Sequence, residues 1–462
     1  MGSSNAKLPD GLLVAWYGDD FTGSAAVAEV LSFAGLPSVL FLDIPTPEQL
    51  ARFPGMRGIG IAGTARSHSP DWMQKHLPQK FEYMKSLGAQ INHYKTCSTL
   101  DSSPKIGSIG KAIELAQSVF HSKWVPVLHA APAIRRYQSF GHLFAAAPDG
   151  VFRLDRHPVM ARHPVTPMDE SDVARHLAKQ TDLPIGLVDL EMLGDPQGLK
   201  QQAQDFSTLM SLDTVSQADL AAVGQLIWQE RGAGLFAVGS QGVEYALVSH
   251  WQKTGAIASD LAPAKTAGNA DNIIVVSGSV SHVTERQIDW ALQNGFGAVH
   301  LDPVEILAGA TKCEHAISTA VEEALKVLRL GKDPIVFTAK GPDDPQIARF
   351  EQAVAQSDTT TDAANNAIGA ALGQVLKLLL RSSDVRRAVV SGGDTSGHAT
   401  RKLGIFALTA LAPTIPGAAL FQAHSDDVGF DDLQLALKGG QMGTDDYFGW
   451  IKHGGGAAQQ GE

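Results

Sequence analysis

The chain is poor in cysteine, in positive charge and in long apolar runs, and each shortage removes a class of protein. Its 462 residues include two cysteines, Cys97 and Cys313, which form no C-x-x-C pair. Neither a disulfide framework nor a cysteine zinc site is indicated, and a cytoplasmic location is expected. The net charge of −11 argues against nucleic acid, whose phosphates call for a basic face. It leaves room for a local basic pocket that takes a small anion. No apolar run approaches the ~18 residues of a membrane span, and the N-terminus lacks a signal-peptide core. Catalytic signatures are missing as well. Lys111 and Lys332 each follow a glycine but lack the earlier glycine of G-x-x-x-x-G-K-[ST], and neither H-E-x-x-H nor G-x-S-x-G occurs. P-loop, zinc-peptidase and α/β-hydrolase readings therefore have no support.

What is present is a Gly- and Ala-rich globular composition, 44% hydrophobic and 18% charged, on a chain too long for one core. Short apolar runs alternate with amphipathic ones. Leu12–Tyr17, Ser38–Leu42, Gly58–Ala62, Gln90–Lys95 and Val125–His129 read as strands. Ser24–Phe33, Pro47–Arg52, Pro70–Leu87 and Lys105–Phe120 read as the helices between them, the last opening at Ser102-Ser103-Pro104. Residues Pro132–Arg156 read as irregular, with a hairpin over Gln138–Phe144. His157 and His163, each before proline, lie in extended loop and show no metal-ligand spacing. The alternation predicts an α/β protein of two domains, each a largely parallel sheet flanked by helices, with a substrate and nucleotide cleft between them. The expected division is a disordered 1–10, a first domain over 11–255, a linker over 256–271, a second domain over 272–453 and a disordered tail over 454–462.

Three places in the first half carry chemistry at strand ends, where ligands of open α/β sheets gather. Gly18-Asp19-Asp20-Phe21-Thr22-Gly23 puts two carboxylates where the first strand gives way to a helix; capping would need one. Arg66 follows the third strand and suits a carboxylate or phosphate. Lys95-Thr96-Cys97-Ser98-Thr99-Leu100-Asp101 ends the fourth, and Lys95 there can neutralise an acid group or a transferring phosphoryl. Gly58-Ile59-Gly60-Ile61-Ala62-Gly63 has the dinucleotide spacing G-x-G-x-x-G, but its glycines lie within the strand and no helix follows, so it reads as a decoy.

The second half repeats one device three times. Ser277-Gly278-Ser279, Ser391-Gly392-Gly393-Asp394-Thr395-Ser396-Gly397 and Gly439-Gly440 each follow a predicted strand. A strand, a glycine turn and a helix N-terminus expose free N–H groups to an anion. Convergence on one polyphosphate explains all three.

These motifs, taken in order, resemble the four-carbon acid sugar kinases. Further matches are Thr64-Ala65-Arg66-Ser67, Ala131-Pro132-Ala133, Gly141-His142-Leu143-Phe144, Pro164-Val165-Thr166-Pro167-Met168-Asp169-Glu170-Ser171-Asp172 and Lys438-Gly439-Gly440. The resemblance implies an acid-sugar domain followed by a nucleotide domain, with ATP and Mg2+ as cofactors. It implies that Asp20, Arg66 and Lys95 through Ser98 contact the sugar acid, and that Ser277, Ser279, Gly392, Gly393, Asp394, Thr395 and Gly440 contact ATP. Asp20, or else Asp19, would take the hydroxyl proton, with Lys95 beside it and Arg66 on the acid group. Lys95 and Arg66 would supply the cations that the glycine turns lack. Many members read Lys-x-Asp-Ser-Thr-Leu-Arg-Gly; here Cys97 replaces the Asp, and Asp101-Ser102 replace Arg-Gly. A 3-oxo or branched acid sugar such as 3-oxo-isoapionate then fits at least as well as threonate or erythronate. The competing readings are an NAD(P)-dependent hydroxy-acid dehydrogenase, resting on Gly58–Gly63, and a non-catalytic sugar-acid-binding protein. Neither nucleic acid nor membrane is an expected partner, and the sequence is compatible with a homodimer.

Overall fold

The computed structural model describes residues 7–147, 149–163, 165–205, 208–259 and 266–456. Expectations for 1–6, for 260–265 of the linker and for 457–462 lie outside them. The chain divides into two compact units, Met1–Ala262 and Pro263–Glu462.

In the first unit the strands are β1 (Val14–Gly18), β2 (Ser38–Phe41), β3 (Gly58–Ile61), β4 (Ile91–Lys95), β5 (Trp124–Leu128), β6 (Arg136–Ser139), β7 (His142–Ala147), β8 (Gly150–Arg153), β9 (Ile185–Val188), β10 (Thr208–Leu212) and β11 (Leu235–Gly239). A parallel sheet runs β2-β3-β1-β4-β11-β5-β10-β9. Its central strands are buried on both faces, which is why β1, β5 and β11 read as apolar runs, whereas β4 buries Asn92, His93 and Lys95 as well. The period of two sorts their side chains. Ala15 and Tyr17 join the core of Met73, Phe81, Ile109 and Ile113, whereas Trp16 points the other way and donates from Nε1 to Ser24 O at 3.1 Å. Helix Phe21–Phe33 thus covers one face and helices Pro70–Ser86 and Ile109–Phe120 the other. The connections leaving β1 and β4 depart to opposite faces, so the carboxyl ends of these neighbours form a topological switch point.

The decoy motif has a packing explanation. A side chain at Gly60 would run into the Trp16 ring, and one at Gly63 into Tyr17. These glycines make room for aromatic neighbours, and the short turn Ala65–Ser67 follows where a dinucleotide fold needs a helix.

Two local expectations are corrected. Ser102-Ser103-Pro104 does not open a helix; the Ser103 hydroxyl is used in a turn, accepting from Ile106 N at 3.0 Å. The helix begins at Ile109, where Ser108 accepts from Lys111 N. Between them Gly107, at φ +61°, passes so close to Arg66 O that any side chain would clash. The stretch Pro132–Arg156 is not irregular but carries the antiparallel sheet β6-β7-β8. Its first turn sets both Phe140 and Gly141 at positive φ. Asp213, distant in sequence, accepts from both amides, at 2.9 Å for Gly141. Strand β10, which precedes Asp213, has no sequence-based counterpart above.

The second unit holds β12 (Ile274–Ser277), β13 (Phe296–His300), β14 (Asp333–Phe337), β15 (Arg387–Ser391), β16 (Ile405–Ala412), β17 (Leu420–Ser425) and β18 (Gln434–Lys438). The order is β13-β14-β12-β15-β18-β17-β16; the first five are parallel, and β17 runs antiparallel to both neighbours. Gly454–Gly456, expected in a disordered tail, are buried, and Gly456 N donates to Pro413 O at 2.7 Å. The reason lies in Arg387. Its guanidinium donates to Gly268 O, Ile451 O and Lys452 O at 2.8–3.0 Å, so it ties the start of the unit to its end. No helix among the described residues is long and apolar enough to cross a membrane.

Candidate functional site

At the β1/β4 switch point the first unit gathers charge. The backbone fixes it: Asp19 N donates to Lys95 O at 2.8 Å, and Arg66 N donates to Asp19 O at 3.0 Å. Asp19 and Arg66 lie past the ends of β1 and β3, Lys95 ends the adjacent β4, and these bonds pin the three together. The Arg66 edge of Nε and Nη2 lies along the Asp19 carboxylate, with Nη2 to Oδ1 at 2.7 Å, and Nη2 also reaches Asp20 Oδ1 at 2.9 Å. Asp20 caps helix Phe21–Phe33 through the same Oδ1, which accepts from Gly23 N at 2.9 Å. Its Oδ2 takes no hydrogen bond among the described residues. Lys95 Nζ donates to Thr96 O at 2.7 Å and stands beside Gly23, where an added side chain would strike both it and the Asp20 carboxylate.

Burial separates the two aspartates. Asp19 is 1% exposed, and burial, opposed by Arg66, pushes its carboxyl up to about 6. Asp20 is 27% exposed, with Oδ2 left unbonded among the described residues. Burial works against the Arg66 charge, but the two carboxylates outweigh it and hold the guanidinium firmly protonated. Arg66 therefore differs from the expected bidentate receptor: its forked edge is already occupied, and Nη1 is what remains. Thr96 is buried, its hydroxyl 2.9 Å from His129 Nε2. Burial, assisted by His176, Lys95 and His93, pushes that imidazole down to about 3, so it is neutral at pH 7. Cys97 and Ser98 are half-buried beside it, with Cys97 Sγ 3.1 Å from Thr99 Oγ1. Sequence reasoning missed the support beneath. His93 and Glu244, both fully buried, meet at 2.7 Å, and the other His93 nitrogen lies 3.2 Å from Gly239 O. The available signal was a titratable residue inside a predicted strand and another on the first turn of a predicted helix.

In the second unit the three glycine turns leave adjacent strands, since β12, β15 and β18 are neighbours and Ser277, Ser391 and Lys438 are in register. Gly278 N donates to Ser391 O at 3.0 Å, and Gly392 N donates to Lys438 O at 2.9 Å. Gly392 sits at φ +127°, ψ 133° and opens helix Gly393–Lys402; side chains are sterically excluded from that conformation. A side chain at Gly278 or Gly392 would meet Thr395 Oγ1, and one at Gly440 would meet Ser279 Oγ. Space above Gly393 is open. Asp394 follows it in the first helical turn, and its side chain lies outside the described residues. Ser277 Oγ and Ser391 Oγ are buried without a partner. Sequence reasoning named neither Thr284 nor Lys438 as a working part. Thr284 Oγ1 donates to Gly440 O and also bonds Ser279 Oγ, both at 3.0 Å, and Lys438 Nζ lies beneath. The turns thus have a lysine of their own, contrary to the expectation that every cation comes from the first domain. A cavity of about 550 Å³ in this unit, lined by Asn269, Asn272, Arg386 and Gln434, opens at the amino-terminal strand edge and shares nothing with the turns.

Comparison with known proteins divides the chain in the same way. Residues 14–247 match the model of the sugar-binding N-terminal domain, and residues 274–448 match the nucleotide-binding C-terminal domain. The chain is 43% identical to a 3-oxo-isoapionate kinase of Paraburkholderia graminis, covering 98% of this chain and 97% of that one. It is 28% identical to a 3-oxo-tetronate kinase of Pseudomonas savastanoi pv. phaseolicola, over 94% and 96%. A crystallised Salmonella typhimurium LT2 protein, 23% identical, shares the fold with a TM-score of 0.76 over 97% of this chain and 98% of its own. The chain belongs to the four-carbon acid sugar kinase family, in which a sugar-binding N-terminal domain precedes a nucleotide-binding C-terminal domain.

Proposed function

We propose that this protein transfers the γ-phosphoryl group of ATP to a hydroxyl of a branched 3-oxo sugar acid, with 3-oxo-isoapionate the leading candidate. The observation that carries the reading is the Asp20 carboxylate at the β1/β4 switch point, held by Gly23 N and Arg66 through one oxygen and open at the other. The acceptor follows from the 43% identical relative, which is named for that substrate, where relatives at 28% are named for 3-oxo-tetronate. Cys97, where an aspartate is usual, supports a pocket of altered charge.

Phosphoryl transfer needs alignment and charge neutralisation more than covalent help. Asp20 Oδ2 accepts the proton of the attacking hydroxyl. Lys95 Nζ, with one of its protons on Thr96 O, offers the others to the substrate. Arg66 Nη1 meets the acid group, and the Asp19 carboxylate fixes the guanidinium's orientation. Thr22 Oγ1, buried without a partner in the first helical turn, is a further donor for the same ligand. In the second unit the orphaned hydroxyls and side-chain-free turns fit a nucleotide's phosphates, with the amides of Gly393, Asp394 and Thr395 as donors at the helix N-terminus. Mg2+ bound with ATP would supply charge neutralisation at the phosphate oxygens. The dehydrogenase alternative has nothing left to stand on once Gly60 and Gly63 are accounted for by Trp16 and Tyr17. The binding-protein alternative is separated by turnover. The test is ADP release across four- and five-carbon sugar acids with 3-oxo forms included; fastest release is expected with 3-oxo-isoapionate. Ligand binding without ADP release would leave a binding protein.

A further inference from the structure

Lys438 ends β18, and in register with it stand Ser391 of β15 and Ser277 of β12. This row crosses three strands immediately below the three glycine turns. The lysine is fully buried. Its Nζ donates to Thr284 Oγ1 at 3.3 Å and to Gly439 O at 3.1 Å, both neutral acceptors. No described carboxylate lies within ion-pair distance of it. An ammonium buried without a counter-ion is costly, and its neighbours in the row, Ser277 Oγ and Ser391 Oγ, are unpartnered too. The described groups on the packed elements do not supply the charge. On helix His282–Gln293, Glu285 pairs with His282, Asp289 pairs with Lys340 and Arg286 is exposed; Arg401 and Lys402 sit at the far end of helix Gly393–Lys402, and Lys452 of helix Tyr447–Lys452 is paired with Asp333. Burial alone pushes Lys438 down to about 7.

We propose that Lys438 is a proton-coupled counter-charge for the nucleotide: it takes a proton from solvent when phosphates occupy the turns after β12, β15 and β18, and returns it when they leave. The inference rests on the nucleotide reading of those turns and adds the group that answers the phosphate charge. Lys438 acts as a positioning residue, because its Nζ holds Gly439 O and Thr284 Oγ1, and Thr284 in turn holds Gly440 O and Ser279 Oγ.

The test is calorimetric titration of the full chain with ADP and Mg2+ at pH 7.5, in two buffers of different ionisation heat. Affinity is then followed from pH 7.5 to 9. The nucleotide's own phosphates, with a second pKa of about 6, are fully ionised throughout. Expected are a buffer-dependent heat that reports proton uptake, and an affinity that falls with pH toward about tenfold per unit, the limit for one linked proton. Lys438→Arg, whose charge does not titrate in this range, is expected to lose both dependences whatever its absolute affinity. Equal heats in the two buffers with a flat affinity in the unaltered protein would overturn the proposal without any variant. So would a pH slope that survives in Lys438→Arg. An unaltered protein that binds no ADP at all would instead remove the nucleotide reading, a result distinct from pH-independent binding.

Discussion

The two units use the same architecture, parallel strands ending in loops, and build opposite kinds of site on it. The first concentrates formal charge in side chains: two carboxylates, a guanidinium and an ammonium, three of them on residues tied by backbone bonds between neighbouring strand ends. The second has one buried lysine and otherwise relies on amides, hydroxyls and the absence of side chains. The difference matches what each would handle. A small acid must be turned so that one hydroxyl faces one base, and that takes directional charged groups on rigid supports. A polyphosphate carries its own charge and needs many weak donors at close approach, which only glycine turns allow.

That contrast breaks most severely at Asp20. Asp20→Asn keeps the helix cap, since asparagine caps as well as aspartate, but removes the proton acceptor. The expected loss in kcat is about 10²- to 10⁴-fold, with thermal stability near that of the parent. Unchanged kcat in steady-state assays would move the base elsewhere. The next largest effect is expected at Gly392→Ala. Its backbone lies in a conformation nearly exclusive to glycine, at a cost on the order of 1–3 kcal/mol. If the strain falls on the turn, KM for ATP rises about 10- to 100-fold while KM for the sugar acid holds. Equal rises in both would blur the division of labour between the units. The smallest effect sharpens it. Ser277→Ala removes a buried hydroxyl that has no partner, so chemical denaturation should show stability unchanged or slightly higher. If the hydroxyl serves the nucleotide, KM for ATP rises about fivefold, one hydrogen bond's worth. A destabilised protein with an unchanged KM would make Ser277 a structural residue.

Much of this was legible in the sequence because it is local. Strand, turn and helix alternate with short connections, and Asp20, Arg66, Lys95 and the three glycine turns declare themselves by standing at strand ends. What stayed hidden depends on partners far along the chain. Phe140 adopts a turn conformation usually given to Asn or Gly because Asp213, over seventy residues on, holds its amide. Arg66 lost its forked edge to Asp19, a pairing set by strand order and invisible to spacing. His93 and Glu244 looked like misplaced charges until the fold put them in contact. Lys438 opens a glycine motif, but its burial comes from the strands beside it and the helices covering them, which no local pattern reports.

Arg387 has a consequence for how the protein is made. Its guanidinium binds carbonyls at both ends of the second unit, Gly268 at one and Ile451 and Lys452 at the other. During synthesis the first unit's strands are all made before residue 268, and it can fold early, as N-terminal domains do. The second unit cannot close around Arg387 until residue 452 has cleared the exit tunnel. From β12 onward its apolar strands wait for that clasp until the end of the unit has been made, so this half is the later of the two to close.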